Sequence, residues 1–307
     1  MEKIVINVLL STYNGEKFLR EQLDSVLSQE NVDVRLYIRD DGSNDNTIHI
    51  IQEYLNRFSN IYLFQEQNIG CIKSFLRLID IVNSDKSHGN YYAFCDQDDV
   101  WDKNKLWSAV SLMNQQKASN IPLLYCSNLR IVDSELNFIR LMYDADIKPS
   151  KGRSLVHNIC TGCTMVINQL LVDIYLSLAI PQNMIMHDWF FYNLAIYTGN
   201  VCFDKTPHIQ YRQHSNNVLG ANKTSLLSKG RNFIHSIIHN DNEHYREMQA
   251  KTFYKMLQMH ITGKDLNHLK LVAFYRNNIL SRFKLILSRQ ICGSDINLRI
   301  RILLGLI

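Results

Sequence analysis

Proline is scarce in this chain of 307 residues, and several familiar sequence signals are missing. There are four prolines, and none of them lies in residues 221–307, which fits helices in that segment. No run of about 18 apolar residues occurs, so no membrane-spanning helix is expected. A strand-like pattern follows Met1-Glu2-Lys3 at once, which predicts that there is no signal peptide.

The seven cysteines follow no disulfide framework, and their number is odd. Cys160-Thr161-Gly162-Cys163 has the C-x-x-C form of a redox dithiol, but no second Cys or His pair stands at zinc-site spacing from it. Reduced thiols in a cytosolic compartment are the favoured interpretation. Cys95 and Cys163 are predicted to be small buried apolar side chains.

The overall charge is modest. The chain has 33 basic and 29 acidic residues, a net charge of +4, and 46% of its residues are hydrophobic. This balance is typical of a globular protein and does not indicate a nucleic-acid partner. The length allows one large α/β domain, or a domain with an appendage.

Apolar, β-branched runs alternate with stretches of helical period. Strands are predicted at residues 4–10, 32–38, 61–64 and 91–95, with helices at 16–29, 46–58 and 69–82 between them. This alternation with short connections predicts a parallel, right-handed α/β sheet. Further strands are predicted at 123–126, 129–132 and 161–167, and further helices at 103–113 and 184–197.

Three of the predicted strands end in polar clusters: Thr12-Tyr13-Asn14, Asp40-Asp41 and Asp96–Asp99. Ligands of open α/β sheets bind at the carboxyl ends of the strands, so these clusters are expected to meet in one site.

The run Asp96-Gln97-Asp98-Asp99 places three carboxylates directly after an apolar strand. Asp96 and Asp98 lie two residues apart, so in extended geometry their side chains point the same way. Together they form an oxygen-rich half-site suited to Mg²⁺ or Mn²⁺. A solvated acidic turn is the alternative interpretation.

Several motifs in order resemble the family-two nucleotide-sugar glycosyltransferases of the GT-A fold, over about residues 4–220. The general motifs are Ser11-Thr12-Tyr13-Asn14-Gly15, Asp40-Asp41-Gly42-Ser43, Asn68-Ile69-Gly70 and Asp96-Gln97-Asp98-Asp99-x-Trp101. Others look most like the rhamnosyltransferase-like branch: Gly162-Cys163-Thr164, His187-Asp188-Trp189 and Tyr211-Arg212-Gln213-His214-x-Asn216-Asn217. The resemblance implies a Rossmann-like, mostly parallel α/β domain that binds a nucleotide sugar.

The resemblance also implies roles for single residues. Nucleotide and donor contacts fall on Thr12, Tyr13, Asn14, Asp40, Asp41, Asp96 and Arg212. The metal ligands, for Mn²⁺ or Mg²⁺, fall on Asp96, Asp98 and His214, with Asp98 the more direct one. A structural role is the alternative for His214.

Asp188 matches the position of the family's catalytic base. A helix N-cap is the alternative for this residue. The family often has Glu-Asp here, so His187 is a departure. Acceptor or sugar contacts fall on Trp101, Gly162, His187 and Trp189, and core packing is the alternative for both tryptophans.

The composition changes near residue 220, which places the predicted boundary between a catalytic domain, residues 1–225, and a helical extension, residues 226–307. Basic and apolar residues alternate at helical spacing in 270–289 and 298–307. Such helices suit peripheral contact with an anionic membrane. The alternative is a helical subdomain whose apolar side packs on the catalytic domain or on a second copy.

The resemblance implies a metal-dependent, inverting transfer of rhamnose from dTDP-rhamnose to a glycan or lipid-linked glycan, in the synthesis of bacterial surface polysaccharide. A cytoplasmic enzyme, peripheral to the inner face of the membrane, is expected. A UDP-hexose donor is the alternative within the class.

Two other classes stay open. A nucleotidyltransferase also uses paired carboxylates, but it needs a Gly-rich phosphate loop, and Ser11–Gly15 is not one. Ser11–Gly15 also lacks the G-x-G-x-x-G motif, which disfavours a Rossmann dinucleotide site. A non-catalytic, membrane-bound scaffold is disfavoured because Asp98 and Asp188 are intact.

Overall fold

The structure, a computed structural model, describes residues 3–85, 88–116, 120–178, 184–214 and 244–307. Its strands are β1 (Ile4–Thr12), β2 (Val32–Asp40), β3 (Ile61–Gln65), β4 (Tyr91–Cys95), β5 (Val100–Trp101), β6 (Leu123–Ser127), β7 (Arg130–Val132), β8 (Phe138–Leu141), β9 (Val166–Asn168), β10 (Asn200–Asp204) and β11 (Ile209–Arg212).

A seven-stranded sheet in the order β10-β6-β9-β4-β1-β2-β3 forms the centre of the fold. Its strand pairs are parallel except those of β9, which runs antiparallel to β4 and β6. Both faces of β1 are buried, with Leu9 in one apolar cluster and Val8 and Leu10 in the other. Burial on both faces explains why the strand reads as a continuous apolar run.

Helices cover the sheet and extend the chain beyond it. Those of the first 214 residues are α1 (Leu19–Leu27), α2 (Thr47–Leu55), α3 (Cys71–Ser84), α4 (Lys105–Asn114), α5 (Lys151–Ser154), α6 (Gln169–Ser177) and α7 (His187–Thr198). Those after residue 244 are α8 (Tyr245–Leu257), α9 (Gly263–Ala273), α10 (Ile279–Leu287), α11 (Arg289–Cys292) and α12 (Ile296–Leu304). None of the helices in the described ranges is long and apolar enough to cross a membrane.

A second, smaller sheet in the order β5-β11-β7-β8 lies beside the acidic loop. In the antiparallel pair of β5 and β11, Ile209 is opposite Trp101 and Gln210 is opposite Val100. Because β5 directly follows Asp99, this register carries the residues after Gln210 past the acidic loop. The small sheet therefore brings the end of β11 to the site.

The helices after residue 244 pack onto the catalytic part of the chain. Phe190 of α7 shares one apolar cluster with Phe253, Leu285 and Ile302. Lys151 Nζ lies 2.5 Å from Asp265 Oδ2, and Arg153 Nη1 donates to the Cys292 carbonyl over 2.7 Å. The packing alternative is thus confirmed for the inner faces of these helices. The predicted domain boundary near 225, and Asn216 and Asn217, lie outside the described residues.

One strand prediction was wrong, and several short elements were not predicted. Residues 161–167 were expected to be a strand, but Gly162–Thr164 forms a 3-10 turn and only Val166–Asn168 is extended. The turn closes through hydrogen bonds from Thr164 N–H to the Thr161 carbonyl and from Met165 N–H to the Gly162 carbonyl, both 2.9 Å. The helices and strands that were not predicted are α5, α6, β5, β8, β10 and β11.

The cysteines of the C-x-x-C sequence do not pair with each other. Cys160 Sγ lies 3.0 Å from Cys126 Sγ, whereas Cys163 faces Asp96 and Asp99. Cys95 and Cys163 are fully buried, as predicted. Burial raises the pKa of both thiols well above the usual value, which favours the protonated, unreactive form.

Candidate active site

The three polar clusters at the strand ends meet at one edge of the central sheet. In the parallel register, Thr12 is opposite Asp40, and Leu10 is opposite Cys95. The loops that follow β1, β2 and β4 therefore leave the sheet side by side. This confirms that the clusters converge at the carboxyl edge.

Asp40 holds the turn after β2. Its Oδ1 accepts hydrogen bonds from Thr12 Oγ1 at 2.9 Å and Ser43 Oγ at 2.5 Å. Its Oδ2 accepts the backbone N–H groups of Gly42 at 3.1 Å and Ser43 at 2.8 Å. A carboxylate offers about four acceptor positions, and four protein donors occupy those of Asp40. A nucleotide base that hydrogen-bonds Asp40 therefore has to displace one of these donors.

Asp41 is committed to the loop after β3. Its carboxylate accepts the N–H groups of Ile69 at 2.8 Å and Gly70 at 2.9 Å, and Arg39 Nη1 lies 2.5 Å from it. Gly70 has φ +83°, a conformation that glycine adopts without strain. Arg39 and Asp41 are both buried, so their ion pair fixes the wall of the site.

Tyr13 and Gln97 join the first polar loop to the acidic loop. The Tyr13 N–H donates to Gln97 Oε1 over 2.8 Å, and Gln97 Nε2 donates to the Tyr13 carbonyl over 3.0 Å. A Cβ at Gly15 would clash with Gln97 Oε1, so a larger residue there would push the Gln97 amide away from Tyr13. Asn14 Oδ1 accepts the N–H of Asn44 at 2.8 Å. Tyr13 is 46% exposed, whereas Thr12 is buried.

Arg212 and His214 reach the acidic loop from β11. His214 Nε2 lies 2.8 Å from Asp98 Oδ2. The Arg212 backbone N–H donates to Asp99 Oδ1 over 3.0 Å, and its Nε donates to the Asp98 carbonyl over 2.9 Å. Its two remaining nitrogens donate to the Ser134 carbonyl and the Glu21 carboxylate. The guanidinium predicted to touch phosphate thus braces the acidic loop in this structure.

The acidic loop concentrates negative charge beneath the site. Ligand atoms of Asp96, Asp99 and Cys163 lie within 4.8 Å of one another, so the three side chains could hold a metal ion. Burial, followed by the charge of Asp98, raises the pKa of both Asp96 and Asp99. The buried Lys105 acts in the opposite direction on Asp96.

Lys105 is a buried cation that was not identified from the sequence. Its Nζ lies 3.5 Å above the centroid of the Trp101 ring, and burial lowers its pKa to about 8. Trp101 itself is buried in the core, so its ring is not placed where a sugar could stack on it. A lysine in the first turn of an amphipathic helix gives no sequence signal of burial, since lysine is normally exposed.

Asp188 lies in the first turn of α7 and is 7% exposed. Burial raises its pKa to about 6, although backbone hydrogen bonds from Trp189 and Gly162 and a side-chain bond from Asn158 oppose this shift. Met186, not Asp188, occupies the N-cap position of α7. The charge of Asp188 also raises the pKa of Asp96, so the two carboxylates lie within electrostatic range of each other.

His187 points into the core instead of the site. Its ring lies 4.5 Å from that of Phe75 and 5.4 Å from that of Phe94, and burial lowers its pKa to about 3. A Cβ at Gly162 would lie 2.9 Å from His187 Nε2, so glycine permits this close packing. The acceptor contacts expected of His187 and Gly162 are therefore not placed at the surface of the site.

Trp189 is partly buried against the main apolar cluster, and its Nε1 donates to the Ser154 carbonyl over 2.6 Å. Its position matches the packing alternative. Asn158, which hydrogen-bonds Asp188, was not identified from the sequence because it lies in an unpatterned loop 30 residues earlier in the chain.

Comparison with known proteins places these features in a family. The sequence profile of glycosyl transferase family 2 matches residues 7–174. The dTDP-rhamnosyl transferase RfbG of Shigella flexneri is 34% identical over 228 residues, which cover 69% of this chain and 74% of that protein. An uncharacterised glycosyltransferase of Rickettsia typhi, RT0329, is 23% identical over 219 residues, 68% of this chain and 64% of that protein.

Solved structures share the fold at low sequence identity. S. aureus TarS in complex with UDP-GlcNAc is similar over 99% of this chain and 79% of that chain, with a TM-score of 0.59 and 15% identity. The mannosyltransferase PcManGT from Pyrobaculum calidifontis, in complex with GDP-Man and Mn²⁺, is similar over 92% of this chain and 72% of that chain, with a TM-score of 0.53 and 12% identity.

Proposed function

Since this chain belongs to glycosyl transferase family 2 and is a glycosyltransferase of the GT-A fold, we propose that it moves rhamnose from dTDP-rhamnose to a glycan acceptor with inversion at the anomeric carbon. The resemblance to the rhamnosyl transferase RfbG supports this donor. A UDP-hexose is the alternative donor, and the complex of TarS with UDP-GlcNAc is the observation that favours it.

The proximity of Asp188 to the acidic loop is the observation that carries the proposal. The Gly162 backbone hydrogen-bonds Asp188, and the next residue, Cys163, lies beside Asp96 and Asp99. One turn therefore connects a carboxylate of raised pKa to a cluster of carboxylates. Such an arrangement suits a base for the acceptor hydroxyl next to a site for the diphosphate.

The donor set fits a divalent cation. Asp98 offers a carboxylate and His214 an imidazole nitrogen within 2.8 Å, and Asp96 adds a further carboxylate. These are ligands that Mn²⁺ and Mg²⁺ accept. A bound cation would neutralise charge on the leaving diphosphate. Asp98, His214 and Asp96 would hold it, while Arg212 keeps the Asp98 backbone in place.

The chain's own residues supply the rest of the chemistry. The exposed Tyr13 ring offers a face for the base, beside the turn that Asp40 and Asn14 hold. Asp188 would take the proton of the acceptor hydroxyl as that oxygen attacks the anomeric carbon. The attack comes from the face opposite the nucleotide diphosphate, which leaves as the new bond forms.

The proposed setting is the synthesis of bacterial surface polysaccharide, with a lipid-linked glycan as the acceptor. A lipid-linked acceptor brings the enzyme to the cytoplasmic face of a membrane, and the C-terminal helices would make peripheral contact there. The loop after β1 argues against a nucleotidyltransferase, because the N–H groups of Asn14 and Gly15 donate to Ser43 and Thr47, and Ser11–Gly15 contains no basic residue.

A donor panel tests the proposal. The chain is incubated with dTDP-rhamnose, UDP-glucose, UDP-galactose and UDP-GlcNAc, each with Mn²⁺ or with EDTA, and release of the nucleotide diphosphate is measured. We expect release from dTDP-rhamnose with Mn²⁺ at least tenfold above the other donors. Preference for a UDP-sugar would overturn the choice of donor, and equal release with EDTA would overturn the role of the metal.

A further inference from the structure

Two helices near the C-terminal end of the chain leave large apolar side chains exposed. Of the seventeen exposed large apolar side chains in the described ranges, eight lie between residues 279 and 304. On α10 they are Ile279, Leu280, Phe283 and Leu287, and on α12 they are Ile296, Ile300, Leu303 and Leu304. Scattered apolar side chains are normal on a protein surface, but such a concentration marks an interaction site.

The exposed side chains form one stripe on each helix. At 3.6 residues per turn, each set of four spans about 100° of the helix circumference. The opposite faces hold Leu285 on α10 and Ile302 on α12, both fully buried in the main core. The helices pack against each other, and Arg282 Nη1 donates to the Leu303 carbonyl over 3.2 Å. The exposed stripes are thus not left over from poor packing.

Basic residues flank both stripes. On α10, Arg282 and Lys284 fall on either side of the apolar stripe, and on α12, Arg299 and Arg301 take the same two positions. Residues 279–307 contain five basic residues and one acidic residue, Asp295, so this segment carries a net charge of +4. That equals the net charge of the whole chain, and residues 1–278 are therefore neutral in sum.

An open cavity of about 500 Å³ adjoins the stripes and shares Arg282 and Leu304 with them. Lys251 and Arg276 also line it, and Glu247 is its one acidic lining residue among those described. Glu247 pairs with Lys251 at 2.7 Å and with Arg276 at 3.4 Å, so with Arg282 the described lining holds three cations and one carboxylate.

We propose that the exposed faces of α10 and α12 are a docking surface for an anionic phospholipid bilayer, with the apolar stripes entering the acyl boundary and the flanking cations contacting phosphate headgroups. An apolar stripe flanked by basic residues on both sides suits an interfacial helix. A second copy of the chain would bring the same positive charge against this face, whereas anionic lipid complements it. The surface rests on the proposed function, since a lipid-linked acceptor requires access to a membrane.

Vesicle sedimentation with the full chain tests the surface. We expect binding to vesicles of phosphatidylcholine and phosphatidylglycerol at low salt, and at least tenfold weaker binding to pure phosphatidylcholine. Leu280→Gln/Leu287→Gln/Ile296→Gln changes three side chains that are 68%, 73% and 70% exposed, so the fold should persist while vesicle affinity falls at least tenfold. Phe138→Gln/Met259→Gln is the matched control, because these side chains are 62% and 87% exposed elsewhere.

Lys284→Gln/Arg289→Gln changes two exposed cations of residues 279–307, Arg289 being the first residue of α11 directly after α10, and should weaken binding to anionic vesicles by at least tenfold. Lys148→Gln/Lys205→Gln, which changes two exposed cations outside this segment, should not. Release of nucleotide from the soluble donor, measured on every variant, separates the two proposals. Normal release without vesicle binding overturns the docking surface alone, and vesicle binding without release from any donor overturns the proposed function. A dimer that the triple variant converts to a monomer, with no vesicle binding, would assign the face to a second copy.

Discussion

His214 Nε2 lies 2.8 Å from Asp98 Oδ2, although the two residues are 116 positions apart in the chain. The pairing of β11 with β5 produces this contact, because β5 begins directly after the acidic loop. Both side chains are largely buried, with exposed fractions of 15% for His214 and 16% for Asp98. A cation that binds Asp98 therefore meets an imidazole nitrogen at the same point.

The first prediction concerns metal-dependent nucleotide binding. Asp98→Ala removes the carboxylate that His214 contacts, while Arg212 still holds the backbone carbonyl of residue 98. We expect binding of dTDP in the presence of Mn²⁺ to weaken by about 10² or more, since loss even of an outer partner of a metal ligand costs about 10-fold to 100-fold. Isothermal titration with and without Mn²⁺ measures it.

His214→Ala should weaken the same binding by a smaller factor, and Asp33→Ala is the control, because Asp33 is exposed at the start of β2, away from the carboxyl edge. Unchanged Mn²⁺-dependent affinity in Asp98→Ala would show that the acidic loop is a structural turn only.

The second prediction concerns Asp188 as the base. Asp188→Asn keeps the shape and can still accept hydrogen bonds but cannot take a proton, so turnover should fall by about 10² or more while donor affinity persists. Because burial raises the pKa of Asp188 to about 6, the basic form is lost as pH falls through 6. Wild-type turnover should therefore drop by about tenfold per pH unit below that value.

Rates of transfer between pH 4.5 and 8 measure this decrease in turnover at low pH. The residual activity of Asp188→Asn should not show the decrease. A parallel collapse of donor affinity in Asp188→Asn would instead make Asp188 a donor ligand or a structural residue.

The third prediction concerns Arg212 as a brace. Its side chain is almost fully buried and donates to Asp98, Ser134 and Glu21. Arg212→Met should therefore lower the free energy of unfolding by about 3 kcal/mol, because the partly buried carbonyl groups of Asp98 and Ser134 lose their donors. Glu21→Gln should cost less than Arg212→Met, because the glutamine side chain keeps an oxygen that can accept from the Arg212 guanidinium. Urea unfolding measures both, and an Arg212→Met variant of normal stability with weakened dTDP binding would instead indicate a direct phosphate contact.

The sequence predicts the alternating core of the fold because β1, β2 and β4 are buried on both faces and read as apolar runs. It also predicts the meeting of Thr12, Asp40 and the acidic loop, since the carboxyl ends of neighbouring parallel strands share an edge. What periodicity cannot supply is the position and direction of β9, a three-residue strand that runs antiparallel between β4 and β6.

The contents of the site were harder to predict than its position. Lys105 is buried against expectation, and His187 turns into the core because Gly162 leaves room for its ring. Both outcomes depend on tertiary packing between segments distant in sequence. Likewise, the bracing role of Arg212 depends on the pairing of β11 with β5, and short strands such as these have too few residues to show a period.

The last prediction concerns the buried His187 and the stability of the fold toward acid. Burial lowers the pKa of His187 to about 3, whereas the unfolded chain takes up this proton near the ordinary value of 6.5. The unfolded state therefore binds more protons between those two values, and the free energy of unfolding falls as pH drops below 6.5. The slope is about 1.4 kcal/mol per pH unit for one such group.

His187→Leu removes this protonation site. The fall in the free energy of unfolding between pH 6.5 and pH 5 should therefore be smaller than in the wild type by about 2 kcal/mol. Asp188 acts in the opposite direction, because its raised pKa stabilises the fold as pH falls, but it is present in both proteins and cancels in the comparison. His49→Gln is the control, since the His49 side chain is 71% exposed. Urea unfolding of the three proteins at several pH values gives the slopes, and equal slopes for wild type and His187→Leu would show that His187 is protonated in the folded state and has a partner for its charge.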